Sequence, residues 1–457
     1  MITPQMSKEM QDSKFIIFGA GPVGLSFAET LRVVGIDFTL FSVKDHQGIE
    51  NSLNYGQDLE TNKKIIGGIG GTAILWGGQC GYFGTTDFNN WGKFELGVDF
   101  SQEKFQEAVD LVSSFMELDS SAIKLAKLFN PQEKIVRTIY PHNIKIKNKF
   151  KVLRKKHKIF QINKIISYTE EKDFHIITFS GNYLLKIPKS KMIIFALGGI
   201  GNLNLYKNAS FINHSPKSLV GVLDHPSLYP LEFERGKKIL KITSDKNNLK
   251  SRVKSKFYYT KSYGIDNKDV NLIQQGVAEF HPIYRWPGQG KKSLLINLSK
   301  RVLNNAFFRL RLNVSLKPDR FRVFMQIEQS VEKSKYVETQ NYKGILITEK
   351  DVQFIKSFIL ELIQLLKEEG LEIFSQIEIH DDQIPTLFQA FHPSTIFHFP
   401  LKGEEFPRVN FEGRPKESSN LNFVGSCCFP TPGWVNPTLM AMAHASYVAK
   451  KLVQEIV

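Results

Sequence analysis

Glycines at positions 19, 21 and 24 follow directly on four apolar residues, Phe15 to Phe18, and that spacing matches a pyrophosphate-binding turn. Gly19 permits the tight turn, Gly21 leaves room for phosphates against the backbone, and Gly24 lets a helix pack closely on the strand. Pro22 and Val23 then fall in the first turn of that helix, where unpaired N–H groups and the positive dipole end attract an anion. Eight glycines lie between Gly67 and Gly84, among them Gly71, Gly77 and Gly78, close to Thr72 and Trp76. That is too many for a regular element, because each glycine gives up conformational entropy and offers no side chain to pack. Such density fits backbone lying against a flat or phosphorylated ligand, with Trp76, Tyr82 and Phe83 as apolar walls. A further glycine turn, Gly198, Gly199 and Gly201, comes after the apolar run Met192 to Ala196 and predicts a second approach to the same dinucleotide.

The position that closes the second strand, where an acid commonly holds a ribose diol, is Ser42, followed by Lys44 and His46. A neutral residue beside a cation favours a ribose phosphate, and hence NADP. Ser42 as a neutral ribose partner, with Lys44 a solvated loop charge, is the other reading, and these residues alone leave both open.

The elements that must position these turns follow from periodicity. Lys14 to Val43 reads as a buried strand, a glycine turn, a helix and a second strand, with Leu25, Phe27, Ala28, Leu31 and Val34 on the inner side of the helix. Asp99 to Leu118 reads as an amphipathic helix, and Ile159 to Ala196 as a strand meander that returns to a buried strand. From Pro226 to Thr386 the texture changes. Arg320 to Gln329 alternates with period two, predicting a half-exposed antiparallel sheet, and Thr348 to Asp351 forms a capping box before a helix ended by Gly370. Near the C-terminus a short buried strand, Leu421 to Val424, runs into Gly425 and Ser426. A final helix is opened by Pro437 and Thr438 and closed by Lys450 and Lys451.

A chain of 457 residues has ample core for two domains, and its 42% hydrophobic and 23% charged content fit an ordinary globule. Three cysteines give neither a disulfide framework nor a zinc spacing, so no metal site is expected and a reducing compartment is. The N-terminus lacks the apolar core of a secretory signal and no run reaches the length of a membrane span, which predicts a cytoplasmic protein with no transmembrane segment. The net charge of +15 includes a dense run from Lys145 to Lys158. No RNA-binding aromatic motif or helix-turn-helix pattern accompanies it, so nucleic acid is not an expected partner. A solvated surface, or attraction of an anionic substrate or surface, accounts for the charge.

Four blocks, in order, resemble the glucose-methanol-choline (GMC) family of FAD-dependent oxidoreductases. They are the fingerprint at Gly19 to Gly24; GGTAILWGGQC with Asp87, Phe88 and Trp91 following; IIFALGGIGN with GVLDHP (Gly221 to Pro226); and HPSTIFHF (His392 to Phe399) with VGSCCFPTPGWVNPTL (Val424 to Leu439). The resemblance implies an α/β fold: a discontinuous Rossmann-like FAD-binding domain, residues 14–225 and 387–457, around an α+β substrate domain, 226–386, built on an antiparallel sheet. It also resolves the Ser42 question towards FAD. Three departures stand out. Ser42 replaces the acid. Thr395 stands where the family pattern has glycine. Leu75 occupies the position where some sugar-oxidising members carry the histidine that links the flavin, so FAD is expected to be non-covalent.

Within that resemblance the expected reaction is oxidation of an alcohol or a sugar or glycan hydroxyl to a carbonyl, with hydride passing to flavin N5. The base is assigned to His392, whose neutral imidazole has a pKa near working pH, and Asn436 is assigned to hold the same hydroxyl. The helix opened by Pro437 would present its positive end to the pyrimidine edge of the flavin. His398 is expected to be a wall or core residue, with replacement of His392 as the base its alternative reading; His225 is expected to be structural, and His444 a satisfied core or surface residue of the final helix. Asn436 also has a simpler reading as a helix N-cap. Two other functions remain in competition: an NADPH-using flavin monooxygenase, and an FAD-binding protein that has lost turnover. The electron acceptor, whether oxygen, quinone or a protein, is not specified by these residues.

Overall fold

Phe15 to Phe18 are buried on both faces, as strand residues are only when neighbours flank the strand on each side, and they form β1 (Phe15–Phe18) in the interior of a parallel sheet. The computed structural model describes residues 4–43, 48–49, 54–55, 65–66, 79–127, 134–141, 158–209, 223, 225–234, 246–247, 251–265, 268–283, 295, 298–303, 320–331, 336–338, 343–345, 347–376, 394–395, 397, 399–405 and 407–456. After β1 come α1 (Pro22–Val33) and β2 (Phe38–Val43), then α2 (Thr85–Trp91), α3 (Gln102–Phe115) and β3 (Ile135–Pro141). The segment read from sequence as one meander divides among three places. β4 (Ile159–Ile162) joins the edge of the parallel sheet beside β2, while β5 (Ile165–Glu170), β6 (Phe174–Phe179) and β7 (Tyr183–Pro188) form a separate antiparallel sheet. β8 (Met192–Phe195) then enters beside β1 and is followed by α4 (Gly198–Lys207).

The middle of the chain supplies β9 (Ser227–Leu228), β10 (Leu231–Glu234), β11 (Ser251–Gly264), β12 (Asn271–Ile283), β13 (Arg320–Ile327), α5 (Glu349–Glu368) and β14 (Glu372–Gln376). β15 (Leu421–Phe423) and α6 (Thr438–Ile456) come last. The parallel sheet runs β15-β8-β1-β2-β4, so strands from the start, middle and end of the chain share one Rossmann-like layer. At its C-terminal edge Phe41, Phe18, Phe195 and Phe423 stand in register and stack successively, with ring centroids 5.0, 5.5 and 5.6 Å apart. This ladder ties four strands by one continuous apolar contact.

The second sheet is antiparallel, in the order β11-β12-β13-β10-β14, with β9 on β13 and β3 on β11. One face packs on α5. Gly276 lies under that helix, and a Cβ there would stand 2.8 Å from the Phe358 ring. The helix starts as its sequence predicts: Thr348 N–H donates to Asp351 Oδ2 at 3.1 Å, and Gly370 adopts φ +68 just past its end. The other face of β13 is more buried than period-two alternation implied. Gln326 and, just past the strand, Glu328 are both buried.

α6 lies along α1 and α3, and two hydroxyls tie it to α1. Ser26 Oγ donates to the Met442 carbonyl and Thr30 Oγ1 to Ser446 Oγ, both at 2.9 Å. The helix continues to Ile456, past Lys450 and Lys451, so these lysines do not cap its dipole; Lys451 pairs with Glu412 at 2.5 Å. Val34, placed on the inner side of α1 by periodicity, is 46% exposed because the helix ends at Val33. Trp91 joins α2, α3 and the C-terminal segment, with the rings of Phe83, Phe88, Phe100, Phe105, Phe411 and Phe429 5.2 to 5.9 Å away.

Phe195 touches both Phe18 and Phe423 and has no exposed surface, so Phe195→Ala is expected to lower unfolding free energy by about 3–5 kcal/mol in urea titrations.

Candidate functional site

Three adjacent strands, β1, β8 and β15, end side by side, and each runs into a glycine with positive φ. Gly19 has φ +112, Gly198 +77 and Gly425 +113. In the β1–α1 turn backbone approaches backbone: a Cβ on Gly19 would lie 2.3 Å from the Ala196 carbonyl oxygen, and one on Gly24 would lie 1.8 Å from that of Gly19. Gly21 and Gly198 are the opposite case. A Cβ on either would meet none of the described residues within 4 Å, so among these the turn has open space beside its backbone there. Gly21 is the N-cap of α1, Pro22 and Val23 form its first turn, and the N–H groups of that turn have no intrahelical acceptor. A strand-end crevice between β1 and β8, on either side of which the chain winds in opposite directions, is where open parallel sheets bind ligands. A diphosphate fits this donor set and this space. Ser42 is buried on β2, and its hydroxyl donates to the Val43 carbonyl at 3.2 Å.

The β15 turn is held from two sides. His444, in the second turn of α6, has no exposed surface; its Nδ1 accepts from Gly425 N–H at 3.1 Å and its Nε2–H donates to the Phe411 carbonyl at 2.7 Å. That pairing fixes a neutral tautomer, and burial pushes the imidazole down to about 4. Asn202 Oδ1 accepts from Leu197 N–H at 3.2 Å, while its Nδ2 donates to the Val424 carbonyl at 3.4 Å and to Cys427 Sγ at 3.2 Å, so it links the β8 and β15 turns. Cys80, Cys427 and Cys428 are buried free thiols; burial pushes Cys80 up to about 12 and Cys428 well above its ordinary value, so neither supplies a nucleophile.

The histidine block runs beside Ser426. Thr395 N–H donates to the Ser426 carbonyl at 2.9 Å, Phe397 N–H to that of Cys427 at 3.2 Å, and Ser394 exchanges two backbone bonds with Leu223. Thr395, which stands where the pattern this block resembles has glycine, has a left-handed backbone at φ +52 and buries its hydroxyl oxygen without a partner among the described residues. His392 and His398 lie outside the described residues, as do Lys44, His46, Gly71, Thr72, Leu75, Trp76, Gly77, Gly78 and residues 145–157 of the basic run.

Asn436 precedes α6 and is half-buried. Pro437, not Asn436, is the N-cap, since its carbonyl accepts from Ala441 N–H at 2.6 Å and the helix begins at Thr438. The carboxamide oxygen of Asn436 is buried with no hydrogen-bond partner among the described residues. Tyr82 and Phe83, expected as ligand walls, pack inside the protein instead: Tyr82 hydroxyl and Ser113 Oγ are 3.2 Å apart, and Phe83 sits edge-on to Trp91. His225 is structural, with Nε2–H donating to the Gly433 carbonyl at 2.6 Å.

Sequence reasoning missed a buried polar network that bonds the backbone of Gly433. Asp87, Gln275 and Glu328 come from α2, β12 and the end of β13, and none is detectably exposed beyond 2%. The Gln275 amide nitrogen lies 2.7 Å from Asp87 Oδ1 and 3.2 Å from Glu328 Oε2. Asp87 stands in the family block before Trp91, which was its one available signal. Further along the same sheet face Glu279 is buried among Lys254, Lys256 at 3.4 Å and His281 at 3.5 Å. The cations hold the Glu279 carboxyl well below its ordinary value, against the opposing effect of burial. Among the described residues no group of three or more His, Cys, Asp or Glu is placed to hold a metal ion, and no helix is long and apolar enough to cross a membrane.

No family model and no curated protein matches the sequence. Among solved structures, the fold is similar to that of pyridoxine 4-oxidase from Mesorbium loti, with a TM-score of 0.55 and 10% identity over 97% of this chain and 99% of that one.

Two expectations follow from the geometry. His444 must stay neutral in the fold but protonates in the unfolded chain. Its stabilisation is therefore complete above its ordinary value of 6.5 and is lost as pH falls towards about 4, on the order of 3 kcal/mol. His444→Gln should flatten that part of the acid dependence in denaturant titrations at pH values between those limits. Thr395→Gly should raise stability by about 1 kcal/mol in the same assay, because it relieves the left-handed strain and removes a buried hydroxyl that has no partner among the described residues.

Proposed function

We propose that this chain is a GMC-type, FAD-dependent oxidoreductase that oxidises a CH–OH group of a small alcohol or sugar to a carbonyl. The observation that carries the reading is the meeting of three positive-φ glycine turns at the ends of β1, β8 and β15, with the histidine block bonded to the third of them. The likeness to pyridoxine 4-oxidase, by its name an oxidase of a small molecule, supports an oxidoreductase and a small-molecule substrate. The domain division that accompanies this reading is 14–225 with 387–457 around 226–386.

The residues that would hold FAD are the turns at Gly19–Gly24, Gly198 and Gly425–Ser426, together with Ser42, Gly71, Thr72, Trp76, Gly77, Gly78, Pro437 and Thr438. Bound non-covalently, FAD supplies the hydride acceptor. His392 takes the proton from the substrate hydroxyl, a role for which a neutral imidazole is matched to working pH. Asn436 receives the same hydroxyl: its carboxamide oxygen is buried and has no hydrogen-bond partner among the described residues, which suits it to accept one from a substrate. The unpaired amides at the start of α6 favour negative charge in front of them.

Purified protein is expected to be yellow and to release FAD on denaturation. Gly21→Val should fold normally, since a Cβ there meets no atom of the described residues within 4 Å, yet weaken FAD binding more than ten-fold in fluorescence titrations. Anaerobic mixing with a panel of alcohols and sugars should bleach the flavin absorbance, and His392→Ala should slow bleaching by about 100-fold or more with FAD still bound. Rapid bleaching by NADPH alone would select the monooxygenase instead. Bound FAD that no substrate bleaches would select a binding protein.

A further inference from the structure

We propose that Asp87, Gln275 and Glu328 form a positioning clamp that fixes the backbone of Gly433 and, through it, the placement of Asn436 three residues later. Both polar backbone atoms of Gly433 are engaged: its N–H donates to Glu328 Oε1 at 2.8 Å, and its carbonyl accepts from His225 Nε2–H at 2.6 Å. The residue sits at φ +71 with Phe83 so close that a Cβ would lie 2.4 Å from the ring. Beyond it the chain stays wedged, Trp434 edge-on to Tyr258 at 6.1 Å and Val435 against Gly81, where a Cβ would lie 2.5 Å from Val435 Cγ1. Asn436 itself has no bond among the described residues to aim its carboxamide oxygen, so the preceding segment must set its direction.

The clamp is anchored in both halves of the molecule. Gln275 Nε2 donates to Asp87 Oδ1 and Glu328 Oε2, and its Oε1 accepts from the Tyr258 hydroxyl at 2.6 Å. Asp87 Oδ2 accepts from Gly84 N–H at 2.8 Å, and the Thr431 hydroxyl bonds Glu328 while accepting from Trp91 Nε1–H at 3.2 Å. Two carboxyl groups bonded to one amide nitrogen cannot both ionise cheaply in a dry site. The titratable and charged groups around them are, by element, Asp87 on α2, Tyr258, Lys254 and Lys256 on β11, Glu279 and His281 on β12, and Glu328 at the end of β13, with His225 just before β9. Both lysines are engaged with Glu279, and no cation among the described residues acts on Asp87 or Glu328.

Burial pushes Asp87 up to about 7 and Glu328, also facing the Asp87 charge, to about 8. The folded state therefore binds protons more tightly than the unfolded chain. The clamp's contribution is full at pH below ordinary carboxylate values and is lost as pH rises through about 7 to 8. On the alkaline side a charged Glu328 is the stronger acceptor for Gly433 N–H, but two like charges then face one another across one amide, and the repulsion that drives the carboxylates apart slackens the hold on Gly433.

The consequence for catalysis rests on the role given to Asn436 above; the clamp does not, and it is read on the full chain without substrate. Hydrogen exchange of the peptide spanning residues 429–436, corrected for intrinsic rates, should show protection that drops several-fold between about pH 6.5 and pH 9. Glu328→Ala should lose ten-fold or more of that protection at the lower pH. Glu328→Gln keeps an oxygen for Gly433 N–H, and the Gln275 amide can turn to meet it, so protection should be retained with most of the alkaline loss gone; Asp87→Asn should likewise flatten the pH response. Should Glu328→Ala fail to fold, the Gln and Asn variants still decide the matter. Protection in Glu328→Ala equal to wild type, or an unaltered alkaline loss in both conservative variants, would overturn the clamp. A chain that shows the clamp and never binds FAD would instead remove the oxidoreductase reading and leave the clamp standing.

Discussion

Backbone meets backbone at the β1–α1 turn with no space for a side chain, and the architecture of the first domain follows from that contact. A Cβ on Gly24 would stand 1.8 Å from the Gly19 carbonyl oxygen, and one on Gly19 would stand 2.3 Å from that of Ala196. Only glycine lets α1 close down on β1 while β8 passes alongside, and only that closeness brings the start of α1 and the ends of β8 and β15 to one crevice. The phenylalanine ladder across the four strands then holds their ends level.

The two sheets meet through different physics. The parallel layer offers backbone amides and helix ends to an anion and carries few side-chain charges. The antiparallel layer buries its chemistry in side chains, with Tyr258, Gln275 and Glu328 turned away from α5 towards α2 and the C-terminal segment. Buried polar groups are costly unless bonded, and a network whose members are bonded in one arrangement specifies that arrangement strongly. Here the groups come from α2, from two strands of the second sheet and the end of a third, and from the loop before α6, so they assemble only when these elements are all in place.

Local patterns were legible wherever the cause is local. The spacing of Gly19, Gly21 and Gly24 after an apolar run, the capping box at Thr348 and the stop at Gly370 depend on residues within one turn of each other, and the fold contains each of them. Where neighbours in space decide, local pattern misled. Ile159 to Ala196 has the alternation of a meander, yet β4 and β8 belong to one sheet and β5, β6 and β7 to another, because partner strands come from residues far along the chain. The last helix outruns its two lysines because burial against α1 and α3 outweighs an end-charge preference worth a few tenths of a kcal/mol to about 1 kcal/mol.

By itself the sequence determined that a glycine-rich strand–turn–helix unit opens the chain, that an antiparallel sheet with a capped helix fills its middle, and that a glycine turn and a helix close it. Spacing along a backbone dictates these, through dihedral freedom and period. The tertiary structure alone decided that β15 completes the first sheet, that Pro437 rather than Asn436 caps the final helix, and that Asp87 and Glu328 share one buried amide. The first and last of these depend on desolvation and on pairing between residues from about fifty to more than two hundred positions apart, and the cap depends on how the chain enters its final helix; none of these is written in any one stretch of the chain.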